Sequence, residues 1–472
     1  MGVDFESWDD PEIQSLIERF EGMLDFKGHY FFDSDDFEEI IDFYFERNNI
    51  RKAGQAINIA LTQYPLNVTF LIRKAHLVND QGKPEEALTI LKDAEFLDPT
   101  NVDVIMSKAA LYSKMKLYDK AIEEYQRALS DADNTDEIYS FIAFEYENLG
   151  NYDKAIEYLA KALKANPEYE SALYEIGFCY EITHQLDNGI AYFTDFLNIY
   201  PYSKITWFCL GVLNNAKGTY EAAIDAYDFV IAIDETFSSA YFNKANAYAN
   251  MNEYHKAIEQ YQETFLFEDP EAMTYFYIGE CYEELEDYQN ALDHYLEAIR
   301  IDEYLSEGFM CVGNCYELLD KPKLAIKYMH KAIEIEPDNA YFWYQLGETL
   351  FDNEETVRAI DALEKATSLE PQNSEMWDYY AFIFASTNSF SKAILILKDA
   401  IQQMPSDALL IYHLSSCLWM NGQVKESYLN LENALSIDFE KHTSLFDFFQ
   451  ELKNSSEILT IIETYRTEDS TK

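Results

Sequence analysis

The sequence predicts an all-α solenoid of about twelve 34-residue helical hairpins, an expectation carried by three observations. Small residues recur at a fixed step of 34, prolines recur near the end of the same frame, and the chain is too apolar to stay unfolded despite its charge. Of 472 residues, 86 are Asp or Glu and 35 are Lys or Arg, a net charge of −51, yet 48% are hydrophobic and 16% aromatic. Acidic chains that remain disordered lack that apolar content. A charge of this sign and size argues against direct nucleic-acid binding and against anionic membrane surfaces. No apolar run reaches the ~18 residues that a membrane-spanning helix needs, so no membrane insertion is expected.

The columns justify each element in turn. Stepping by 34 from Ala53 gives Ala87, Ala121, Ala155, Gly189, Ala223, Ala257, Ala291, Ala325, Ala359, Ala393 and Ser427. Twelve residues before each lies a second small column: Ala75, Ala109, Ala143, Gly177, Gly211, Ala245, Gly279, Gly313, Gly347, Ala381 and Ser415, with Ile41 as its large member. Seven residues after the first column lies a third: Ala60, Ala94, Ala128, Ala162, Ala298, Ala332, Ala366, Ala400 and Ala434, interrupted by Phe196, Val230 and Thr264. Two helices need small residues where their backbones approach closely. The tyrosines between the columns, Tyr112, Tyr146, Tyr180, Tyr248, Tyr282 and Tyr316, are expected to be buried beside those contacts. Gly82, Gly150, Gly218 and Gly422 fall where the first helix of a unit ends, which is where a left-handed closing residue belongs. Pro65, Pro99, Pro167, Pro201, Pro337, Pro371 and Pro405 close units, and runs such as Glu336-Pro337-Asp338 turn the chain into the next one. Each hairpin alone leaves an apolar face open, so stacking supplies the stability and the end units need caps.

These columns resemble the tetratricopeptide repeat, a 34-residue helix-turn-helix unit with the pattern Trp-x2-Leu-Gly-x2-Tyr, then Ala-x3-Phe, then Pro. Trp207-x2-Leu210-Gly211 and Trp343-x2-Leu346-Gly347 match its opening, and Tyr275, Ile278, Gly279, Tyr282, Ala291, Tyr295 and Ala298 match with conservative replacements. The resemblance, to long bacterial-type members of the family, covers about residues 34–441. It implies a right-handed superhelix whose first helices line a concave groove that takes protein partners. The expected division is an acidic extension with an amphipathic helix at 1–33, twelve units at 34–441, capping helices at 442–466 and a frayed tail at 467–472.

At the N-terminus, Asp10-Pro11-Glu12 is a good helix start, followed by Ile13, Leu16, Ile17, Phe20 and Leu24 on one face. This helix is expected to cap the first repeat; the alternative is a helix that docks a partner, with Trp8 as anchor. Leu445, Phe446, Phe449, Leu452, Ile458 and Ile462 outline a C-terminal capping hairpin. No Lys or Arg precedes Arg19, and Glu6 stands where a myristoylation signal wants Ser or Thr, so the expectation is a cytoplasmic chain without a leader. The six cysteines form no CxxC pair and are expected to stay reduced.

A search for catalytic chemistry returns little. A phosphate-cradling loop needs closely spaced glycines, and the chain has no GxG triplet; it also has no HExxH and no GxSxG. Cys311 and Cys315 lie four apart and have metal-ligand spacing. However, Cys179, Cys281, Cys315 and Cys417 share one repeat column and Cys209 and Cys311 another, which favours small buried fillers. No enzyme and no cofactor are expected.

The candidate site is the groove. With the second column packed inward, residues three before it, one after it and four after it project on the opposite face of the first helix. From residue 170 to 352 that face carries Tyr174, Phe208, Phe242, Phe276, Met310 and Tyr344, then Phe178, Asn246, Glu280, Asn314 and Glu348, then Glu283 and Glu317. The stripe reads in two ways. Its aromatics pack one first helix on the next while the acids form a solvated face, or they anchor a basic or amphipathic segment of a partner, with Asn246 and Asn314 bonding its backbone. On the second reading Phe242→Ala and Phe276→Ala would weaken capture with melting nearly unchanged. A different class of function remains beside it: an acidic holding chaperone or decoy for basic nucleic-acid-binding or ribosomal proteins, acting through overall charge. The acidic face disfavours anionic peptide tails, and self-association through the end units is left open.

Overall fold

The computed structural model describes residues 11–25, 30–132 and 134–469; Asp10 and Trp8 lie outside them, as do residues 470–472. The described residues form helices joined by short turns, with no strand among them. They divide into two compact units, residues 1–240 and 241–472.

In the first unit the helix Pro11–Leu24 packs on the first helix of a series of antiparallel hairpins. The hairpins are Ser34–Glu46 with Ile50–Gln63, Val68–Asp80 with Pro84–Leu97, Val102–Lys114 with Tyr118–Ala128, Thr135–Asn148 with Tyr152–Ala165, Glu170–Ile182 with Leu186–Ile199, and Lys204–Lys217 with Tyr220–Ile233. Phe20 is fully buried, with Leu16 and Ile17 beside it, against Phe32, Phe37 and Tyr44. Arg19 lies over the Phe32 ring and donates to the Phe31 carbonyl at 3.2 Å, and the Tyr44 hydroxyl donates to Glu21 at 3.1 Å. The N-terminal helix therefore spends its apolar face on the first hairpin.

The helix Ser238–Asn250 contains the division between the units and is followed by Tyr254–Thr264. The second unit continues with Ala272–Glu284 and Tyr288–Ile301, Ser306–Leu318 and Pro322–Ile335, Ala340–Asp352 and Thr356–Leu369, Ser374–Ser386 and Phe390–Gln403, then Ala408–Met420 and Val424–Ile437. Where two capping helices are expected, the chain instead makes two 3-10 turns, Glu440–Phe446 and Gln450–Asn454, before the helix Ser456–Asp469. Leu445, Phe446, Leu452, Ile458 and Ile462 are all buried in this cap.

The columns are what the helices pack on. Every alanine of the first and third columns is at 0% exposure. Several glycines of the second column leave room for a large facing side chain: a Cβ on Gly211 would sit 2.5 Å from the Tyr227 ring, on Gly279 2.6 Å from Tyr295, and on Gly313 2.7 Å from Met329. The tyrosines expected to be buried between the columns are half-buried, apart from Tyr180. Several instead lie against an aromatic ring twelve residues on, as Tyr146 on Tyr158 at 5.5 Å and Tyr316 on Tyr328 at 5.4 Å. The fully buried tyrosines Tyr227, Tyr261 and Tyr295 come from second helices, and Tyr412 from the first helix Ala408–Met420.

The turn within each hairpin uses one geometry. Gly82, Gly150, Gly218 and Gly422 have φ between 70° and 82°, and Asn48, Lys116, His184, Asn252, Glu286, Asp320, Glu354 and Asn388 are also left-handed, with φ between 53° and 63°. These positions follow one another at steps of 34 residues. The amide after the left-handed residue reaches back to the helix, as Asn151 to the Tyr146 carbonyl at 2.8 Å and Asp287 to Tyr282 at 2.9 Å, satisfying a carbonyl that the ending helix leaves open.

Candidate first-helix binding face

In the first unit the face opposite the small column is open. Tyr174 is 40% and Phe178 51% exposed, while Phe208 is half-buried under Tyr174, with ring centroids 6.0 Å apart. Phe208 is held from below by Phe237 at 5.3 Å and Tyr227 at 6.0 Å. The open aromatic surface also reaches one hairpin further towards the N-terminus than the sequence window 170–352. Phe144, in the same column as Phe178, is 53% exposed, and Phe141 is 42% exposed and stacked on Tyr125 at 5.5 Å. Stepping back 34 residues from Phe178 and Glu181 finds Phe144 and Glu147, so the signal was present in the repeat.

Carboxylates lie among these rings. Ser140 donates to Glu175 at 3.3 Å and the Cys179 thiol to Glu147 at 3.5 Å. Burial, and then repulsion from Glu147, pushes the Glu175 carboxyl up to about 7. Burial also raises Glu147, and raises Glu145, which is only 1% exposed. Glu175 projects two residues before the small column, a position outside the three open columns, and no sequence signal singled it out.

In the second unit the same columns behave differently. Phe276, Met310 and Tyr344 are 8%, 3% and 7% exposed and belong to one continuous core. They are packing residues and not the groove anchors that the spacing suggests. Their side chains lean towards the preceding turn of their own helix and fill the seam between neighbouring hairpins. Phe242 is half-buried, edge-on to Tyr261 at 5.5 Å and Tyr277 at 5.8 Å. The polar members are tied down from beneath. Tyr261 donates to Asn246, Tyr295 to Glu283 at 2.7 Å, Thr349 to Glu317 at 2.7 Å and Tyr344 to Glu348 at 2.9 Å, while Asn314 donates to Gln345 at 3.4 Å. The acids are thus half-buried and hydrogen-bonded, apart from the more open Glu280, instead of forming a freely solvated face. Glu280 stands on a carboxylate-lined surface: the surrounding protein, then Glu283 and Glu284, raise its carboxyl to about 6. Burial likewise raises Glu317 and Glu348.

Cys179, Cys209, Cys281, Cys315 and Cys417 are buried and Cys311 is half-buried, in keeping with their repeating columns. Among the described residues no group of His, Cys, Asp and Glu has the arrangement to hold a metal ion, and no helix is long and apolar enough to cross a membrane. What this face offers chemically is apolar area edged by carboxylates, among which burial raises Glu147, Glu175, Glu280, Glu317 and Glu348 above the usual carboxylate range.

Family profiles described as tetratricopeptide repeat match residues 79–143, 136–169, 242–305 and 319–381. No match to a curated protein is found. Among solved structures, one described as "Crystal structure of MamA" is similar at 20% identity over 35% of this chain and 97% of that chain, with a TM-score of 0.34. Another, described as "YrrB: a TPR protein with an unusual peptide-binding site", is similar at 21% identity over 39% of this chain and 95% of that chain, with a TM-score of 0.35.

Proposed function

We propose that this chain, a tetratricopeptide-repeat protein, is an interaction scaffold that seats a basic amphipathic segment of a partner protein on its first unit, around Phe144, Tyr174 and Phe178. Proteins of this kind are generally scaffolds for protein–protein interaction and typically non-catalytic. The observation that carries the finer reading is the pairing of exposed rings with Glu147 and Glu175, two carboxylates whose ionised form burial disfavours. An apolar patch of this kind on a protein surface is a docking feature. A carboxylate that already sits desolvated near another acid has the most to gain from an incoming Lys or Arg, because the cation restores the charge that burial and repulsion disfavour. An acidic partner segment would deepen the same repulsion.

The test is a titration of a fluorescent lysine–leucine amphipathic peptide into the full chain and into the Phe144→Ala, Phe178→Ala variant. The expected result is at least about tenfold weaker binding by the variant with unchanged melting. Binding that ignores the substitutions and disappears in high salt would favour the charge-driven holding chaperone instead. Equal affinity for an acidic counterpart peptide would overturn the basic-partner reading.

A further inference from the structure

The buried tyrosines of the second helices use their hydroxyls differently from one hairpin to the next. Tyr227, Tyr261 and Tyr295 stand 34 residues apart, at one position of the repeat, and each is at most 1% exposed. The Tyr261 hydroxyl donates to Asn246 and that of Tyr295 to Glu283, both on the open side of the first helix of the same hairpin. A hydroxyl at this position therefore reaches the first-helix face from beneath. In the hairpin of Lys204–Lys217 with Tyr220–Ile233, the residue corresponding to Asn246 is Val212, which has no side-chain acceptor, and the Tyr227 hydroxyl is buried with no hydrogen-bond partner. Packing does not require that hydroxyl, because one hairpin earlier Phe193 occupies the same position, also fully buried. A buried polar group left unpaired is destabilising, and a folded chain that keeps one calls for an explanation.

A second unpaired group belongs to the same hairpin. Asn215, in the repeat column of Glu283, has its Oδ1 buried without a partner. That column continues one hairpin back to Glu181, on the helix Glu170–Ile182, which packs directly against Lys204–Lys217. Glu181 is exposed and Asn215 half-buried, so an incoming group meets these two before the hydroxyl. Burial, then Cys209 and Glu181, push the Tyr227 hydroxyl above its ordinary range, so it keeps its proton. The Cys209 thiol is itself pushed up to about 12 by burial and is uncharged, which leaves Glu181 as the charge of this cluster. Apolar walls stand beside it: the Phe208 ring lies 6.0 Å from that of Tyr227, and the exposed Phe178 is one helical turn before Glu181.

We propose that Tyr227, Asn215 and Glu181 form a subsite of the first-helix face that takes the ammonium group of a partner lysine. The inference rests on the first unit being the seat of a basic segment, and adds the residue type that this seat selects. An ammonium carries three N–H donors on a compact, freely turning head. The subsite offers it three acceptors: Asn215 Oδ1, a lone pair of the Tyr227 hydroxyl and a Glu181 carboxylate oxygen. Both unpaired groups of the hairpin thereby gain a partner, and the lysine stem lies along the phenylalanine rings. The planar arginine fork matches two parallel oxygens of a single carboxylate better than three separate acceptors.

The test titrates the fluorescent lysine–leucine peptide and its arginine–leucine counterpart into the full chain and into three variants: Tyr227→Phe, Asn215→Leu and the Phe144→Ala, Phe178→Ala pair. The wild type is expected to prefer the lysine peptide about fivefold, and Tyr227→Phe and Asn215→Leu each to weaken that peptide about tenfold, the scale of a hydrogen bond to a charged group. Their affinity for the arginine peptide is expected to stay near that of the wild type, so the preference disappears. Melting supplies an independent readout. Tyr227→Phe is expected to melt no lower than the wild type, because the hydroxyl it removes has no partner, whereas Tyr261→Phe and Tyr295→Phe each break a bond and melt lower. A Tyr227→Phe chain that melts lower as well would show its hydroxyl bonded within the chain and overturn the proposal. Equal affinity of Tyr227→Phe and the wild type for the lysine peptide, or a wild type without preference, also overturns it; if the phenylalanine pair variant still loses the peptide, the reading of the face survives and the subsite alone falls. Failure of the wild type to bind either peptide overturns both.

Discussion

The Tyr295 hydroxyl donates to the Glu283 carboxylate at 2.7 Å, joining the second helix of a hairpin to the open side of its first. The ring reaches that far because it passes over Gly279, where a Cβ would stand 2.6 Å from it. The small column thus does more than bring two helices together. It clears a path for a buried side chain to fix a polar group on the opposite surface, and one hairpin earlier the buried Tyr261 likewise donates to Asn246.

That relationship makes two glycine substitutions differ. Gly279→Ala must displace the Tyr295 ring and is expected to cost about 1–3 kcal/mol as an overpacked core does. At Gly82 nothing lies within 4 Å of an added Cβ and only the φ of 78° resists it. Gly82→Ala is expected to cost nearer 1 kcal/mol. Urea unfolding of the two variants would show the difference, and it should vanish if the Gly279 contact relaxes without strain.

The two phenylalanines 276 and 178 offer a second contrast. Phe276 is 8% exposed against Tyr295 and Phe178 is 51% exposed. Phe276→Ala is expected to destabilise by about 3–5 kcal/mol and Phe178→Ala by no more than about 0.5 kcal/mol. Any loss of binding in Phe276→Ala would therefore report damage to the fold, so Phe144 and Phe178 are the positions at which binding and melting separate.

Glu175 sets a pH dependence with a defined sign. Its carboxyl titrates at about 7 in the folded chain against 4.5 as the ordinary value. The folded state keeps a proton that the unfolded state has released between those values, so this group's contribution falls as pH rises through the window and the penalty is complete above it. Glu175→Gln is expected to be more stable than wild type by about 1–2 kcal/mol at alkaline pH, after allowance for solvent screening, and to match it in acid. Thermal melts across that range check it, and a basic peptide that occupies the face should release protons near neutral pH.

Much of the fold was legible because a repeat averages out local ambiguity. The Ala53 and Ala60 columns and the left-handed glycines are each the same local requirement met many times. The face was legible only in direction. Spacing on a helix says which way Tyr174 and Phe276 point relative to their own axis, and both point alike. It does not say how tightly the next hairpin closes over them, and that distance leaves Tyr174 open and Phe276 buried. Glu175 was out of reach because its titration is set first by burial, which only the folded chain supplies, and then by Glu147, which comes from a different hairpin. The C-terminal cap has no repeat to read from, which is why its apolar residues were visible and its 3-10 backbone was not.

The left-handed residue at every 34th position, glycine or not, also fixes the step by which this protein can change size. A deletion or duplication between two equivalent left-handed residues within one unit rejoins helix ends that already have the right geometry, and each remaining interface keeps neighbours of the native kind. Any other increment would bring a closing residue into the middle of a helix. Length in such a chain is therefore quantised, and its reach towards a partner is adjustable by whole hairpins while the chemistry of each hairpin stays where it is.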